Sequence, residues 1–441
     1  MSKQRVTVEN LEYGMYVSEL DRPWLETDFL FQGFVVRDAE DLRRLRAWCR
    51  WVWVDPLKSD DVAIPDEGPV RDRAAVEPAP ESPAAPATRA AGATGHESPA
   101  SGGGALGRAA GSGGPVVPRE PDFERALPEA FPARRQAEQF LQGALRDLSG
   151  KRQIALSDAR SAVDKLGEAV SLNANAALWL NNLRRENEYV AAHCLNVCVL
   201  TLGFGQHLGY GGEELQALGL GAMLHDVGFV LTPAEIVGKP GALSEAEWAE
   251  VRRHPERGGE LAELIPGLPR IAVNIVRDHH ERLSGHGYPR GLSGRDVPTE
   301  ALIVAVCDVY DSMTGEQPWS PAMSPHGSLS VLRQISPGDF GKDLVHEFLN
   351  FIGIYPVSTL VELKSGALAM VVSHSPHSRL APTIMVLRDP RGREPEGRPL
   401  VDLSSLDEEE LERWGIQRVM EPAEAGIDVS RISAAYLDRM L

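Results

Sequence analysis

Positive charge is scarce in this chain: 45 Lys and Arg stand against 63 Asp and Glu, a formal net charge of −18. That balance excludes a broad nucleic-acid interface, which needs a basic footprint. It does not exclude a small anionic substrate, because a few arginines and metal ions can reverse the sign inside a cleft. Cysteine is scarce too. Cys49, Cys194, Cys198 and Cys307 form no CxxC pair and lie among apolar residues. That spacing excludes a disulfide framework and suits buried thiols rather than a zinc clip. No run reaches the ~18 consecutive apolar residues of a membrane span. The opening MSKQRVTVENLEYG has no apolar stretch of the kind that directs secretion. The expectation is a cytoplasmic protein without a membrane span. Large apolar residues also nearly vanish from about 64 to 121, where Ala, Pro, Gly, Ser and Glu dominate. Such composition cannot offset the entropy of ordering and reads as a disordered tether. It contains GGGALG, residues 102–107, a formal GxGxxG match. With no strand before it and no buried helix after it, that match carries no nucleotide-binding inference.

What remains is ample for two or three domains in 441 residues, 43% of them apolar. Residues 1–60 read as a small α+β unit. Short strands are expected at Val6–Val8, Met15–Val17 and Phe34–Val36, with a helix over Asp38–Cys49 capped by Asp38. The apolar WVWV of Trp51–Val54 then returns as a strand, stopped by Asp55-Pro56. Beyond the tether of 61–122, residues 123–176 read as connecting helices, with Phe140, Leu141, Leu145 and Leu148 on one face. That face also offers a surface for a homodimer. Residues 177–355 are helical almost throughout. Residues 356–441 turn strand-like at Ser358–Leu363, Ala367–Ser373 and Thr383–Leu387, and end in an acidic, helix-compatible tail.

The helical segment holds seven side chains able to ligate metal: His193, His225, Asp226, His254, His279, His280 and Asp308. Imidazole and carboxylate suit divalent Mn, Fe, Co, Ni and Zn. A His-Asp doublet can serve two ions at once, and two ions ~3.5–4 Å apart can clamp both oxygens of an in-line phosphoryl displacement. One histidine alone would mean little; two adjacent doublets in one segment mean more.

The text around these residues resembles the HD-GYP family. The run LHDVG at 224–228, HPERG at 254–258, HHERLSGHGYPRGL at 279–292 and AVCDVYDSMT at 305–314 carry the likeness, in order and spacing. EYVAAHCLNVCVL, 188–200, is similar to that family's first ligand helix, and KPGALSEAEW, 239–248, to the loop before its third motif. The resemblance implies a helical HD-type bundle, so the fold class is mainly α, with a small N-terminal α+β domain and a small C-terminal β-containing extension. It implies that the seven side chains hold two divalent ions, Fe or Mn, and that Asp226, Asp308 and His225 do the catalytic work. It implies a phosphodiesterase in bacterial signal transduction that opens cyclic di-GMP to pGpG or GMP. Gly287, Tyr288 and Pro289, with Arg282 and Arg290, are then the substrate-facing residues. A diguanylate cyclase or other signalling protein is the kind of partner implied. ENLEYGMYVSELDRPWLETDFLFQGF, 9–34, resembles a domain of unknown function fused ahead of such proteins.

Departures from the family fall on the chemistry. Phe229 stands where the family carries a lysine after HDIG, Ser284-Gly285 replaces Asp-Gly, and Gln317-Pro318-Trp319 replaces Arg-Pro-Tyr. Losing one charge-assisted phosphate contact costs about 1.5–3 kcal/mol. A binding or docking module that has lost turnover is therefore the competing reading. Tyr189 occupies the position of a third-metal glutamate, which favours two ions over three. Asp311, one helical turn after Asp308, is placed either to brace a ligand histidine or to lie on a solvated face. Of Arg252, Arg253, Arg257, Arg277, Arg282 and Arg290, one or two are expected to reach the cleft.

Overall fold

A computed structural model describes residues 4–21, 34–36, 39–56, 59, 123–150, 152–183, 189–239, 241, 243–315, 322–335, 338–375 and 378–441. The tether at 61–122, the Asp38 cap, Glu188 and Gln317-Pro318-Trp319 lie outside these residues. The chain divides into two compact units, 1–119 and 120–441.

The first unit is an antiparallel sheet with one helix. Its strands are β1 (Gln4–Thr7), β2 (Tyr16–Leu20), β3 (Phe34–Val35) and β4 (Trp51–Val54), with α1 (Ala39–Trp48) between the last two. The order is β1-β4-β2-β3. WVWV alternates as a strand with one buried face should: Val52 and Val54 are fully buried while Trp51 and Trp53 are partly exposed. Met15, Val17, Val36 and Leu45 complete this core. The residue run expected as the first strand splits, for β1 ends at Thr7 and Val8–Asn10 winds into a 3-10 turn.

The second unit is a helical bundle followed by a sheet. The bundle contains α2 (Phe123–Ser149), α3 (Leu156–Leu172), α4 (Ala174–Trp179), α5 (Tyr189–His207), α6 (Gly212–Leu224), α7 (Ala234–Val237), α8 (Glu245–Val251), α9 (His254–Glu263), α10 (Arg270–Asp278), α11 (Thr299–Thr314), α12 (Pro325–Ile335) and α13 (Lys342–Ile352). Helix α5 is apolar on nearly every face, as a helix enclosed by others must be. Its length and composition would let it cross a membrane, yet 72% of it is buried inside the bundle. Helices α2, α3, α6 and α11 pack around it. The segment expected as connecting helices is thus part of the bundle: Ala144 and Leu148 of α2 share a core with Leu224, Val227, Ala262 and Val276. The same apolar face that suggested a dimer is used within the chain.

The C-terminal sheet is antiparallel, in the order β8-β7-β6-β5-β9. It comprises β5 (Leu360–Leu363), β6 (Leu368–Ser375), β7 (Ser378–Arg388), β8 (Leu400–Asp402) and, beyond α14 (Glu408–Trp414), β9 (Ile416–Met420). The tail expected as helix therefore supplies a strand before α15 (Pro422–Ala425) and α16 (Val429–Met440). It is an edge strand, so only one face needs apolar residues. Val419 turns inward while Arg418 bonds Glu362 and Glu424 outside, which hides the alternation. Helix α16 returns to the start of the bundle, where Tyr436, Trp179 and Phe123 meet edge to face.

Backbone proximity, rather than side-chain length, assembles the centre of the bundle. The turn after α6 docks directly on the first turn of α9. A Cβ on Gly228 would stand 1.9 Å from the His254 carbonyl oxygen, and one on Gly258 would stand 3.2 Å from the Gly228 nitrogen. No side chain fits there. Gly228→Ala should cost about 3 kcal/mol or more, read as a large fall in melting temperature. Gly143→Ala, in α2 with nothing near its Cβ position, should hold or slightly raise stability. Equal melting temperatures for the two variants would contradict this packing.

Candidate metal centre

The LHDVG segment ends α6 and starts a 3-10 turn over Val227–Leu231, placing His225 and Asp226 at the junction. Gly228 brings that junction against α9, so His254 faces Asp226. The approach to His254 is prepared by a capping box: Ser244 and Glu247 exchange hydrogen bonds at the start of α8. Lys239 pairs with Glu247 at 2.7 Å. His279 and His280 follow the end of α10, Asp308 lies in α11 and His193 in α5.

All seven side chains meet. Asp226, His254, His279 and His280 form one group, and His193, His225 and Asp308 another, with the ligand atoms of each within 4.8 Å of one another. His280 is partly exposed; the other six are buried. Asp226 spans the two groups. Its Oδ1 lies 3.0 Å from His254 Nε2 and 3.6 Å from His279 Nε2, while its Oδ2 lies 3.4 Å from His225 Nε2 and 3.7 Å from His193 Nε2. Asp308 spans them as well, with Oδ1 at 3.0 Å from His193 Nε2 and Oδ2 at 3.9 Å from His280 Nδ1.

The tautomers follow from local helix geometry. His225 Nδ1 donates to the Ala222 carbonyl at 2.8 Å, His254 Nδ1 to Val251 at 2.8 Å, and His279 Nδ1 to Val276 at 3.0 Å. A carbonyl can only accept, so Nδ1 carries a proton and Nε2 is the ring nitrogen left facing inward. His254 Nε2 and His279 Nε2 consequently face each other at 3.3 Å. His225 Nε2 is fully buried with no hydrogen-bond partner among the described residues. Converging buried ring nitrogens beside carboxylates are a donor set that a divalent cation satisfies. The donor set fits metal.

Electrostatics divide the cluster. Burial and then the neighbouring His279 push His280 well below its ordinary value, and burial chiefly lowers His279, so both are neutral and ready to ligate. Burial opposes ionisation of Asp226, but His225 and His254 outweigh it and hold the carboxyl well below the usual range. For His193 burial also opposes charge, yet hydrogen bonds to Asp308 and Asp311 raise it well above normal. Both of its ring nitrogens face carboxylates, Nδ1 at 2.8 Å from Asp311 Oδ2 and Nε2 at 3.0 Å from Asp308 Oδ1.

Asp311 thus braces His193 rather than lying on a solvated face. Behind it stands a residue that no local pattern marked. Arg134 of α2 is buried, its guanidinium donating to Asn181 Oδ1 at 2.6 Å and to Asn196 Oδ1 at 3.0 Å. Asn196 lies one turn from His193. Burial lowers Arg134 to about 10, with Glu138 and Asp311 acting against the fall. Cys194 was also missed: its Sγ lies within 4.8 Å of the ligand atoms of His225 and Asp226. All four cysteines are buried, with no disulfide among the described residues.

Three aromatic rings face ligand histidines. Phe229 stacks on His254 at 4.2 Å, Tyr288 on His280 at 4.6 Å and Tyr189 on His193 at 5.7 Å between ring centroids. The loop bearing Tyr288 is held by Glu281, which is fully buried and accepts from the backbone of Arg290 at 2.7 Å and of Leu292 at 2.8 Å. Gly287 closes the loop against the histidine turn; a Cβ there would stand 2.6 Å from the His280 carbonyl. Arg290 is bound to Asp278 at 2.6 Å. Arg282 donates to the His279 and Glu281 carbonyls and lies over Phe340 at 4.6 Å. Ser284, in place of the family's Asp, donates to Asp339 Oδ1 at 2.6 Å.

Residues 172–340 match the HD domain family, and residues 3–159 match a domain of unknown function, DUF3391. Cyclic di-GMP phosphodiesterase PA4108 of Pseudomonas aeruginosa is 29% identical over 427 residues, covering 95% of each chain. Over its central segment the chain is similar to HD-domain proteins. The response regulator RpfG of Xanthomonas campestris, a cyclic di-GMP phosphodiesterase, is 38% identical over 128 residues, 29% of this chain and 34% of that one. The 3'3'-cGAMP-specific phosphodiesterase 1 of Vibrio cholerae is 32% identical over 158 residues, 36% of each. The DUF3391 match runs past the first compact unit and includes Arg134.

Metal uptake at this centre should release protons, because a cation at His193 Nε2 displaces the proton shared with Asp308. His193 is raised, so that proton is still bound at pH 7. Affinity for Mn(II) should then rise with pH, about tenfold per unit for each proton lost. Titration calorimetry between pH 6 and 8, in buffers of different ionisation enthalpy, should find at least one proton released. Affinity independent of pH and buffer would contradict this.

Proposed function

We propose that the HD-GYP bundle hydrolyses cyclic di-GMP to pGpG or GMP, using two divalent ions, Fe or Mn. The observation that carries the reading is the division of Asp226, whose two oxygens each face a different pair of imidazoles. One carboxylate serving two donor groups favours two ions. In this reading His193, His225 and Asp308 hold one ion, His254, His279 and His280 the other, and Asp226 both. Such ions supply Lewis acidity at the phosphoryl group and make water a competent nucleophile at neutral pH.

The protein's own contributions are separable. Asp226 and Asp308, kept ionised by their histidines, set the negative charge that retains the ions. The Nδ1–carbonyl bonds lock the rings so that little reorganisation accompanies reaction. Burial of six of the seven side chains keeps bulk water from the reacting centre. Tyr288, Gly287 and Pro289 shape the cleft, while Arg282 and Arg290 brace that loop through the contacts already described. Four buried cysteines without a disulfide among the described residues suit a reducing compartment, in keeping with a cytoplasmic signalling role. A docking module without turnover is disfavoured, since six of the seven side chains are buried and His193, His225, His254 and His279 each have an orienting hydrogen bond. Cyclic di-GMP is preferred over 3'3'-cGAMP because the relative spanning 95% of the chain bears that name.

Protein prepared without oxygen and loaded with Mn(II) or Fe(II) should hydrolyse cyclic di-GMP. Asp226→Ala should lower turnover by at least about 10²–10³-fold. Loaded protein that leaves cyclic di-GMP intact over hours would sink the proposal, and faster cleavage of 3'3'-cGAMP would reassign the substrate.

A further inference from the structure

We propose that Arg252 binds the phosphate of the cyclic dinucleotide that is not being cleaved, an assignment that rests on the phosphodiesterase reading above. A cyclic dinucleotide carries two phosphodiesters, each with one negative charge. Only one can lie at the metal centre during a given cleavage. The other must lose part of its hydration near a site already rich in carboxylate, and that is unfavourable without a cation of the protein's own.

Few cations remain to supply it. Phe229 fills the lysine position with an apolar ring stacked on His254 at 4.2 Å. Lys239 is held by Glu247 at 2.7 Å. Arg253 and Arg257 both pair with Glu250, at 3.5 and 2.6 Å, and Arg277 pairs with Glu263 at 3.5 Å. Arg282 and Arg290 are committed within the loop they brace. Arg252 differs from all of these. Among the described residues its guanidinium has no carboxylate partner, and the side chain is exposed.

Its position is the second argument. Arg252 caps the C-terminus of α8, its backbone N–H donating to the Trp248 carbonyl at 3.0 Å, two residues before His254. The guanidinium carbon lies 6.0 Å from the centroid of Tyr288. That same ring stacks on His280, the one partly exposed member of the cluster. The charge therefore sits beside the accessible edge of the metal centre, where it also acts to lower the Tyr288 hydroxyl against the larger upward push of burial. A guanidinium offers two parallel donors that match a phosphodiester's two free oxygens. The positive charge missing at Phe229 is thus replaced from the α8 side of the cleft.

A contact to a phosphate that does not react stabilises bound substrate and transition state alike, so it enters KM and not kcat. Arg252→Met should raise KM for cyclic di-GMP, and its Kd measured calorimetrically in Mn(II), by about 10- to 100-fold. The kcat should stay within about twofold of wild type, Arg252→Lys should recover part of the affinity, and Arg253→Met should match wild type in both constants. Unchanged KM and Kd in Arg252→Met would overturn the assignment, as would a fall in kcat alone or a wild type that does not bind cyclic di-GMP. Should wild type bind without turnover while Arg252→Met binds at least tenfold more weakly, the phosphodiesterase reading fails and the phosphate contact of Arg252 stands.

Discussion

Five imidazoles and two carboxylates cannot be buried in one cavity unless something balances their lone pairs and charges. Desolvation works against every charged form at the centre, and against every unsatisfied neutral one. The rest of the bundle follows from that constraint. Its helices must end at the cavity, since the carbonyls left near a helix end are the ones that fix His225, His254 and His279. Its backbones must touch, hence Gly228 against α9 and Gly287 against the histidine turn. The carboxylates must be shared, hence Asp226 and Asp308 each reaching both groups.

Support for the centre comes from well outside the motifs. Arg134 in α2 closes a chain through Asn196 to the helix of His193, and acts electrostatically on Asp311, which holds that histidine. Helix α2 is itself anchored near its start, where Tyr436 of α16 donates to Glu124. Both ends of the second unit's chain therefore bear on how one ligand is placed. This is a structural reason for the bundle to begin at α2 rather than at the first residue of the HD match.

Much of the cluster was legible in the sequence because its histidines and carboxylates come in short runs. LHDVG and HPERG carry histidine and tight glycine within a few residues, and HHERLSGHG runs from the histidine doublet to Gly287, so the text records the geometry locally. WVWV was legible for the same reason, its alternation being complete in four residues. Interactions that join distant segments left no such trace. Arg134 reads as an ordinary helix-face arginine, and its burial depends on asparagines far along the chain. The role of Glu281 stands in plain sight beside the histidines, yet its partners are backbone amides that no pattern names. Strand β9 hid behind outward-facing arginine and a flanking acidic helix. The arginines show the limit most clearly: six looked alike in sequence, and only the pairing of four with carboxylates and of Arg282 with backbone carbonyls separates Arg252.

The most direct test of the account is the stability of the protein with and without its metal. Melting should be followed by circular dichroism after removal of metal by a chelator, and again with increasing Mn(II). If the buried donors are completed by cations, metal bound only to the folded state adds about 2.7 kcal/mol at a free concentration a hundred times its Kd. The account predicts a melting temperature that climbs steadily with Mn(II), and a smaller climb in Asp226→Ala. A melting temperature that is the same in chelator and in saturating Mn(II) would mean that the cluster is satisfied by protons alone, and the metal centre would be refuted.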